Sequence, residues 1–308
     1  MREVHRMASI SHRLTSPELL RIGKLVSKAV LYIISIMLAL MFFFPYLYTL
    51  GSSLKSPMEM YVFPPRVFPE RVQWYNYVDV FRLAPMWRWF YNTINIVFLS
   101  TVGGVLTSSL VAFSFARFRY RFRDFLFMVT LGTMMLPAQI LLIPQYILFF
   151  RLGEWTPIQF LDTIRPLWVP SWFGGGAFGI FLMRQFIRTI PVELDEAALI
   201  DGAGYPRIFS TIVMPLCKPA IATLTVITFL GTWNSFIGPL VYINNPIRFP
   251  ISVGLHYFRQ TAGGMELGDP KEHLLMAASV LSTLIPIALF FSAQNVFVRG
   301  VVMSGIKG

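Results

Sequence analysis

Residues 26–50 read VSKAVLYIISIMLALMFFFPYLYTL, an apolar run with a single charge, Lys28. At about 1.5 Å of rise per helical residue, such a run crosses the roughly 30 Å hydrocarbon layer of a bilayer. Lipid offers no water to backbone N–H and C=O groups, so the run has to be helical. Working outward, five further runs qualify: 90–115, 125–150, 166–187, 213–241 and 274–298. The weakest is 166–187, which Gly174, Gly175 and Gly176 interrupt. The expectation is an all-α polytopic membrane protein with six transmembrane helices. A basic segment, 1–25, precedes the membrane domain, 26–300, and a short tail, 301–308, follows it. Pro45, Pro137, Pro144 and Pro286 inside the runs predict kinks.

Composition agrees. The 308 residues are 55% hydrophobic, 16% aromatic and 13% charged, against about 25% charged residues in a soluble domain. A soluble fold could not cover its surface with so few charges. The one cysteine, Cys217, excludes an intrachain disulfide and a Cys-rich metal site. A signal peptide would also follow a basic stretch, but the first run is too long and no small-x-small cleavage site follows it.

The net charge of +11 would suggest nucleic acid in a soluble protein. Sorted by side of the membrane it reads differently. With the N-terminus in the cytoplasm, 16 of the 26 Lys and Arg lie inside with 7 acids, giving +9; the outer side carries +2. The short loop RFRYRFRD, 117–124, holds Arg117, Arg119, Arg121 and Arg123 and orients the chain most clearly. This is an insertion signal that also pairs with anionic headgroups, rather than an RNA-binding patch. Both termini are expected in the cytoplasm, with no nucleic-acid partner.

The cytoplasmic segment 188–215, RTIPVELDEAALIDGAGYPRIFSTIVMP, carries the strongest local signals. Pro191 suits a first helical turn. Glu193, Asp195 and Glu196 complement the helix dipole there. Ala197, Ala198, Leu199 and Ile200 continue the helix through Asp201, and Gly202 sits where a left-handed cap would end it. Pro206 opens a second short helix through Phe209 and Ile212 toward Pro215. The small residues allow close approach of a partner and the apolar ones suit a groove. The alternative is an interfacial helix resting on headgroups; the acid-rich first turn argues against contact with an anionic leaflet.

The stretch EAALIDGAGYPRIFSTIVMP resembles the EAA loop of ABC-importer permeases: E-A-A, three residues, G, nine residues, I-x-L-P. Glu196, Ala197, Ala198, Gly202, Ile212 and Pro215 match at the right spacing, with Met214 in place of the usual Leu. NTINIVFLSTVGGVLTSSLVAFSFARFRYR, TWNSFIGPLVYI and the C-terminal run are similar to the carbohydrate-importer branch, in particular the smaller permease subunit of maltose-type transporters. The resemblance covers about 26–308. It implies a prokaryotic inner-membrane permease whose coupling loop, 189–215, docks in a cleft of a cytoplasmic ATPase dimer. ATP-driven closure would then move 193–212 as a lever between inward- and outward-facing states. Glu193, Glu196 and Asp201 would supply charged contacts, Ala197 and Ala198 the close-approach surface, and Gly202 the turn. The tail 301–308 would also reach toward the ATPase. Further implied partners are a homologous sister permease, an extracytoplasmic solute-binding protein on the outer loops 51–89 and 242–273, and membrane lipid.

No G-x-x-x-x-G-K-[ST] loop is present; Gly23-Lys24 runs into Leu25. ATP and Mg are therefore expected on the partner ATPase, and none on this chain. His5, His12, His256 and His273 are scattered, and no catalytic constellation or metal site is evident. The runs nearly lack ionisable residues, which argues against an ion-coupled transporter. They do hold neutral polar groups: Asn92, Asn95, Gln139, Gln145, Asn234, Gln294 and Asn295, with Trp233 beside them. Amides and aromatic rings suit a neutral polyhydroxylated solute. Trp233, Asn234, Gln139 and Gln145 are the candidates for the substrate path, against a bland role bridging helices. Where the family often has an acid after W-N, this chain has Ser235. The cargo reads as a sugar or oligosaccharide, with glycerol-phosphate-type polar solutes as the alternative. A self-sufficient secondary transporter would leave the coupling loop without purpose.

Overall fold

A computed structural model describes residues 17–262 and 271–304, with side chains described over 24–261 and 271–294. The N-terminal basic residues Arg2, Arg6 and Arg13, the side chains of Asn295 and Arg299, and the final residues 305–308 lie outside the described set. Among the described residues every regular element is helical and no strand occurs. Helix α1 is Pro17–Ser53, α2 Tyr75–Leu83 and α3 Met86–Arg117. Next come α4, Arg123–Thr133, and α5, Ala138–Trp155. Helix α6 is Arg165–Trp168, α7 Ala177–Thr189, α8 Glu193–Ile200 and α9 Tyr205–Leu216. Then follow α10, Lys218–Trp233, α11, Ile237–Tyr242, α12, Ile251–Ala262, and α13, Glu272–Ser304.

Three of these are long and apolar enough to cross a membrane alone: Lys24–Ser53, Met86–Arg117 and Glu272–Gln294. The expected run 125–150 is not one helix. It breaks into α4 and α5, bent by 99°, because Pro137 has no N–H to continue the ladder and caps the second piece instead. The run 213–241 likewise divides at Cys217, where α9 and α10 meet at 79°, and again after Trp233. Counting each bent pair as one span gives up to five. The run 166–187 is not a continuous span either. It comprises α6, a 3-10 turn over Val169–Trp172, the glycines, and a short α7. Gly174, Gly175 and Gly176 all take positive φ, at 93°, 65° and 87°, which L side chains rarely tolerate. By contrast Pro45, Pro144 and Pro286 lie within helices that run through them.

Irregular backbone at membrane depth survives only where protein satisfies it. Helix α3 does this for the broken fourth run. Ser100 Oγ donates to the Leu167 carbonyl at 3.3 Å and Thr107 Oγ1 to the Ser171 carbonyl at 3.0 Å. Trp172 Nε1 returns a bond to the Leu99 carbonyl at 3.1 Å. Helix α3 is thus the hub, packed against α7, α10 and the Val169–Trp172 turn. Two apolar cores form along it. One gathers Met86, Trp89 and Val97 with Trp233, Tyr242, Phe249 and Ile251. The other gathers Ala112, Phe113 and Phe115 with Met183, Ile187, Ile208 and Val213. Helix α1 packs on α13, and its membrane-length stretch is otherwise unburied within the chain.

The segment after α1 forms an ordered cap. Asn76 Nδ2 donates to the carbonyls of Ser53 at 2.9 Å and Lys55 at 2.8 Å. The Gln73 N–H bonds the Leu54 carbonyl at 2.9 Å. Lys55 is only 2% exposed, with its Nζ 4.9 Å from the Tyr48 ring centroid.

Candidate functional site

At the end of α3 that carries Arg117, the segment after α7 leaves the bundle and returns. Ile190 ends α7 in extended backbone. Pro191 follows, and the Val192 carbonyl receives the N–H groups of Asp195 at 2.9 Å and Glu196 at 3.1 Å, opening α8. Glu193, Asp195 and Glu196 occupy its first turn, where carboxylates offset the unsatisfied N–H groups. The helix stops in a Schellman turn. The Ala203 N–H bonds the Ala198 carbonyl at 2.9 Å and the Gly202 N–H bonds the Leu199 carbonyl at 3.0 Å. This closure needs a left-handed residue, and Gly202 has φ 82°. Pro206 then sits in the first turn of α9, and a π-turn over Phe209–Val213 carries the chain back into the core.

Burial divides the loop into an anchored side and a presented side. Ile190, Ile208, Val213 and Cys217 are buried in the core around Ala112 and Phe113. Phe209 meets Phe113 edge-on at 5.4 Å and Tyr205 meets Phe118 edge-on at 4.8 Å. On the presented side Glu193, Glu196, Ala197, Asp201, Gly202 and Pro215 are exposed, whereas Ala198 and Ile212 are half-buried and pack against the anchoring core. Ile200 is 87% exposed at the tip of α8. A rigid turn of small residues with an unburied isoleucine and acids beside it is chemically suited to an apolar cleft rimmed by donors.

By sequence Asp195 is a helix-dipole residue and Arg117 an orienting charge. The structure joins them. Arg117 Nε lies 2.6 Å from Asp195 Oδ2, with the two side chains 5% and 8% exposed. Arg117 Nη2 also donates to the Ile190 carbonyl at 3.0 Å. One guanidinium therefore holds the entry to α8 and its first turn. Arg184 lies 3.8 Å over the Phe127 ring and 3.7 Å from Asp124, tying α7 to α4.

The candidates for a substrate path sit on two elements, α5 and the end of α10. Trp233 is 5% exposed, stacks on Phe229 at 5.6 Å and belongs to the core. Asn234 is exposed and its Nδ2 bonds the Leu230 carbonyl at 2.9 Å, closing its own helix. Gln139 is exposed and Gln145 half-buried on α5. The structure instead forms a small pocket, about 160 Å³, at the break after α10, where Thr93, Thr232 and Ser235 supply hydroxyls. A larger groove, about 650 Å³, runs between α3, α10 and α13 and is almost wholly apolar. Among the described residues no cluster of His, Cys, Asp or Glu could hold a metal ion.

At the opposite end, Asp162 staples two loops. Its Oδ1 accepts the N–H groups of Asn244 and Asn245, both at 2.9 Å, and Oδ2 pairs with Arg248 at 3.0 Å. Burial alone would raise this carboxyl; the backbone donors of Asn245 and Asn244 and the Arg248 charge outweigh it and hold it below the usual range.

Residues 100–303 match a family model described as binding-protein-dependent transport system inner membrane component. An osmoprotective-compound uptake permease, GgtD, of Synechocystis is 31% identical over 75% of this chain and 74% of its own. An arabinooligosaccharide transport permease, AraQ, of Halalkalibacterium halodurans is 31% identical over 76% and 79%. A glycerol-3-phosphate transport permease, UgpE, of Escherichia coli is 34% identical over 75% and 78%. Among solved structures, a bacterial ABC transporter for import of the acidic polysaccharide alginate shares the fold. Its TM-score is 0.74 at 24% identity, covering 89% of this chain and 96% of that one.

Proposed function

Because the chain belongs to the binding-protein-dependent transport system inner membrane components, we propose that it builds, with a sister permease, the path of an ATP-driven sugar or oligosaccharide importer. The observation that carries this reading is the loop 189–215: core-anchored on one side, it presents Glu196, Ala197, Gly202 and Ile200 on the other. In this reading the loop docks on a cytoplasmic ATPase dimer, which binds ATP and Mg and supplies the energy. The basic end of α3 then faces the cytoplasm together with both termini, in keeping with the Lys and Arg excess on that side. A solute-binding protein delivers cargo at the other end, onto the ordered cap and the loops stapled by Asp162.

The cargo is a neutral polyhydroxylated solute. The hydroxyl-lined pocket and the apolar groove carry no Lys or Arg in their linings, and an anionic solute would want a fixed cation there. The alternative, a glycerol-phosphate-type solute, has the support of the UgpE relative. Uptake competition between unlabelled maltodextrin, arabino-oligosaccharide and glycerol 3-phosphate separates the two.

Docking is tested by co-purification of a co-expressed importer ATPase subunit. Glu196→Lys and Gly202→Asp are expected to abolish co-purification and uptake while membrane insertion persists. Solute transport by the purified permease in vesicles without any ATPase subunit would sink the reading.

A further inference from the structure

Among the described residues, of the helices that adjoin or contact the coupling loop only α3 runs unbroken to the far end of the bundle. Helix α7 is 13 residues long and begins at the glycine break. Helices α9 and α10 are bent by 79° at Cys217. Helix α3 has 32 residues and no proline, about 48 Å of continuous hydrogen-bonded rod.

Both ends of this rod are pinned by specific polar contacts. At the far end Trp89 Nε1 donates to the Pro246 carbonyl at 2.8 Å. Asn92 Nδ2 donates to the carbonyls of Ile247 at 3.0 Å and Phe249 at 3.2 Å. The Ile251 N–H bonds Thr93 Oγ1 at 2.8 Å. At the near end Arg117 holds Asp195 and the Ile190 carbonyl. Apolar contacts under the loop could slide without much loss. A buried ion pair cannot, because separating it strands a charge in a low-dielectric site. Such pairs add little net stability compared with packed hydrophobic groups, so directional fixation is what this one supplies. Arg117 therefore reaches α8 in two ways, by the ionic contact with Asp195 and by the hydrogen bond from Nη2 to the Ile190 carbonyl.

We infer that α3 is the strut that carries movement of α8 to the loop 246–251, and that Arg117 and Asp195 are the positioning pair that locks α8 onto it. This deepens the coupling reading and rests on it.

The test uses the assembled permease–ATPase complex in nanodiscs, with Ile247→Cys as a reporter. Ile247 is 55% exposed, and the native Cys217 is buried. Maleimide labelling of the reporter is timed without nucleotide and with ATP plus vanadate. In the otherwise unchanged chain, ATP plus vanadate should alter the labelling rate severalfold. Asp195→Asn should lose this response while the ATPase still co-purifies, and the swap Arg117→Asp with Asp195→Arg should regain part of it. If Asp195→Asn does not assemble, Arg117→Lys is read in the same assay, since it keeps the charge and loses the fork that reaches Ile190. An undiminished response in whichever variant assembles overturns the strut. A chain that neither binds the ATPase nor responds before any substitution at the pair overturns the coupling reading itself, a different result seen in a different sample.

Discussion

Gly175 rests backbone to backbone on Gly104, so closely that a Cβ at Gly175 would overlap the Gly104 carbonyl oxygen. The missing side chain of Gly175 thereby lets the broken fourth run lie against the α3 backbone 71 residues away in sequence, and its positive φ turns the chain toward α7. The contact sets the spacing between α3 and α7, on which the coupling loop is mounted.

Gly175→Ala should therefore be far more damaging than Gly176→Ala. Both take positive φ, and Gly176, with ψ 150°, lies in a region almost confined to glycine; such backbone costs an L residue about 1–3 kcal/mol. Only at Gly175 is there also a backbone overlap that no rotamer change relieves; a Cβ at Gly176 meets open space. Thermal inactivation followed by size-exclusion chromatography in detergent should rank them in that order. Equal melting shifts would contradict the close approach.

Removing one member of the Arg117–Asp195 pair strands the other. Arg117→Gln or Asp195→Asn alone should each cost about 3–5 kcal/mol, whereas Arg117→Met with Asp195→Leu should cost much less than the sum. Thermal unfolding of the three variants measures this. Additive losses would mean that the two groups do not interact.

The Asp162 staple predicts a pH dependence. Its folded carboxyl titrates below the ordinary range, so folding gains from its charged form. That gain is present above the unfolded value, about 3.9, and is lost as pH falls through the lower folded value. Asp162→Asn should melt earlier than the unsubstituted chain at pH 7, with the gap closing in strongly acidic buffer. A gap that is constant with pH would show that the charge contributes nothing.

Trp233 and Asn234 should part company. Trp233→Ala removes a buried, stacked ring from the core and should cost about 3–5 kcal/mol. Asn234→Ala removes an exposed amide and should change stability by no more than about 0.5 kcal/mol. If Asn234 meets the solute, its substitution lowers uptake at unchanged melting temperature. Uptake at the unsubstituted level would remove it from the path.

How much was legible follows from how far each rule reaches along the chain. Gly202 stands where a left-handed cap is due and takes φ 82°; Pro206 stands where a helix can open and lies in the first turn of one. Turn and cap chemistry is settled within a few residues, so a short window suffices. The runs 125–150 and 213–241 show the limit. Apolarity marks a stretch as membrane-compatible but does not say whether it is one rod or two, and Pro137 and Cys217 are where the rods end. An aromatic beside an amide suits a sugar path by chemistry alone; whether the Trp233 ring faces a cavity or a core depends on Phe229 and its other neighbours.

From the chain alone come the lipid solvent, the helical class, the basic end and the helix–turn–helix of 193–215, since these rest on hydrogen-bond satisfaction in lipid and on local backbone preference. Tertiary structure alone decided that Arg117 holds Asp195, that Gly175 fits Gly104, and that, among the described residues, α3 is the loop-contacting rod that runs unbroken to the far end. Those depend on which distant residues arrive at one place. No spacing encodes them, because a pair 78 residues apart leaves no period in the sequence.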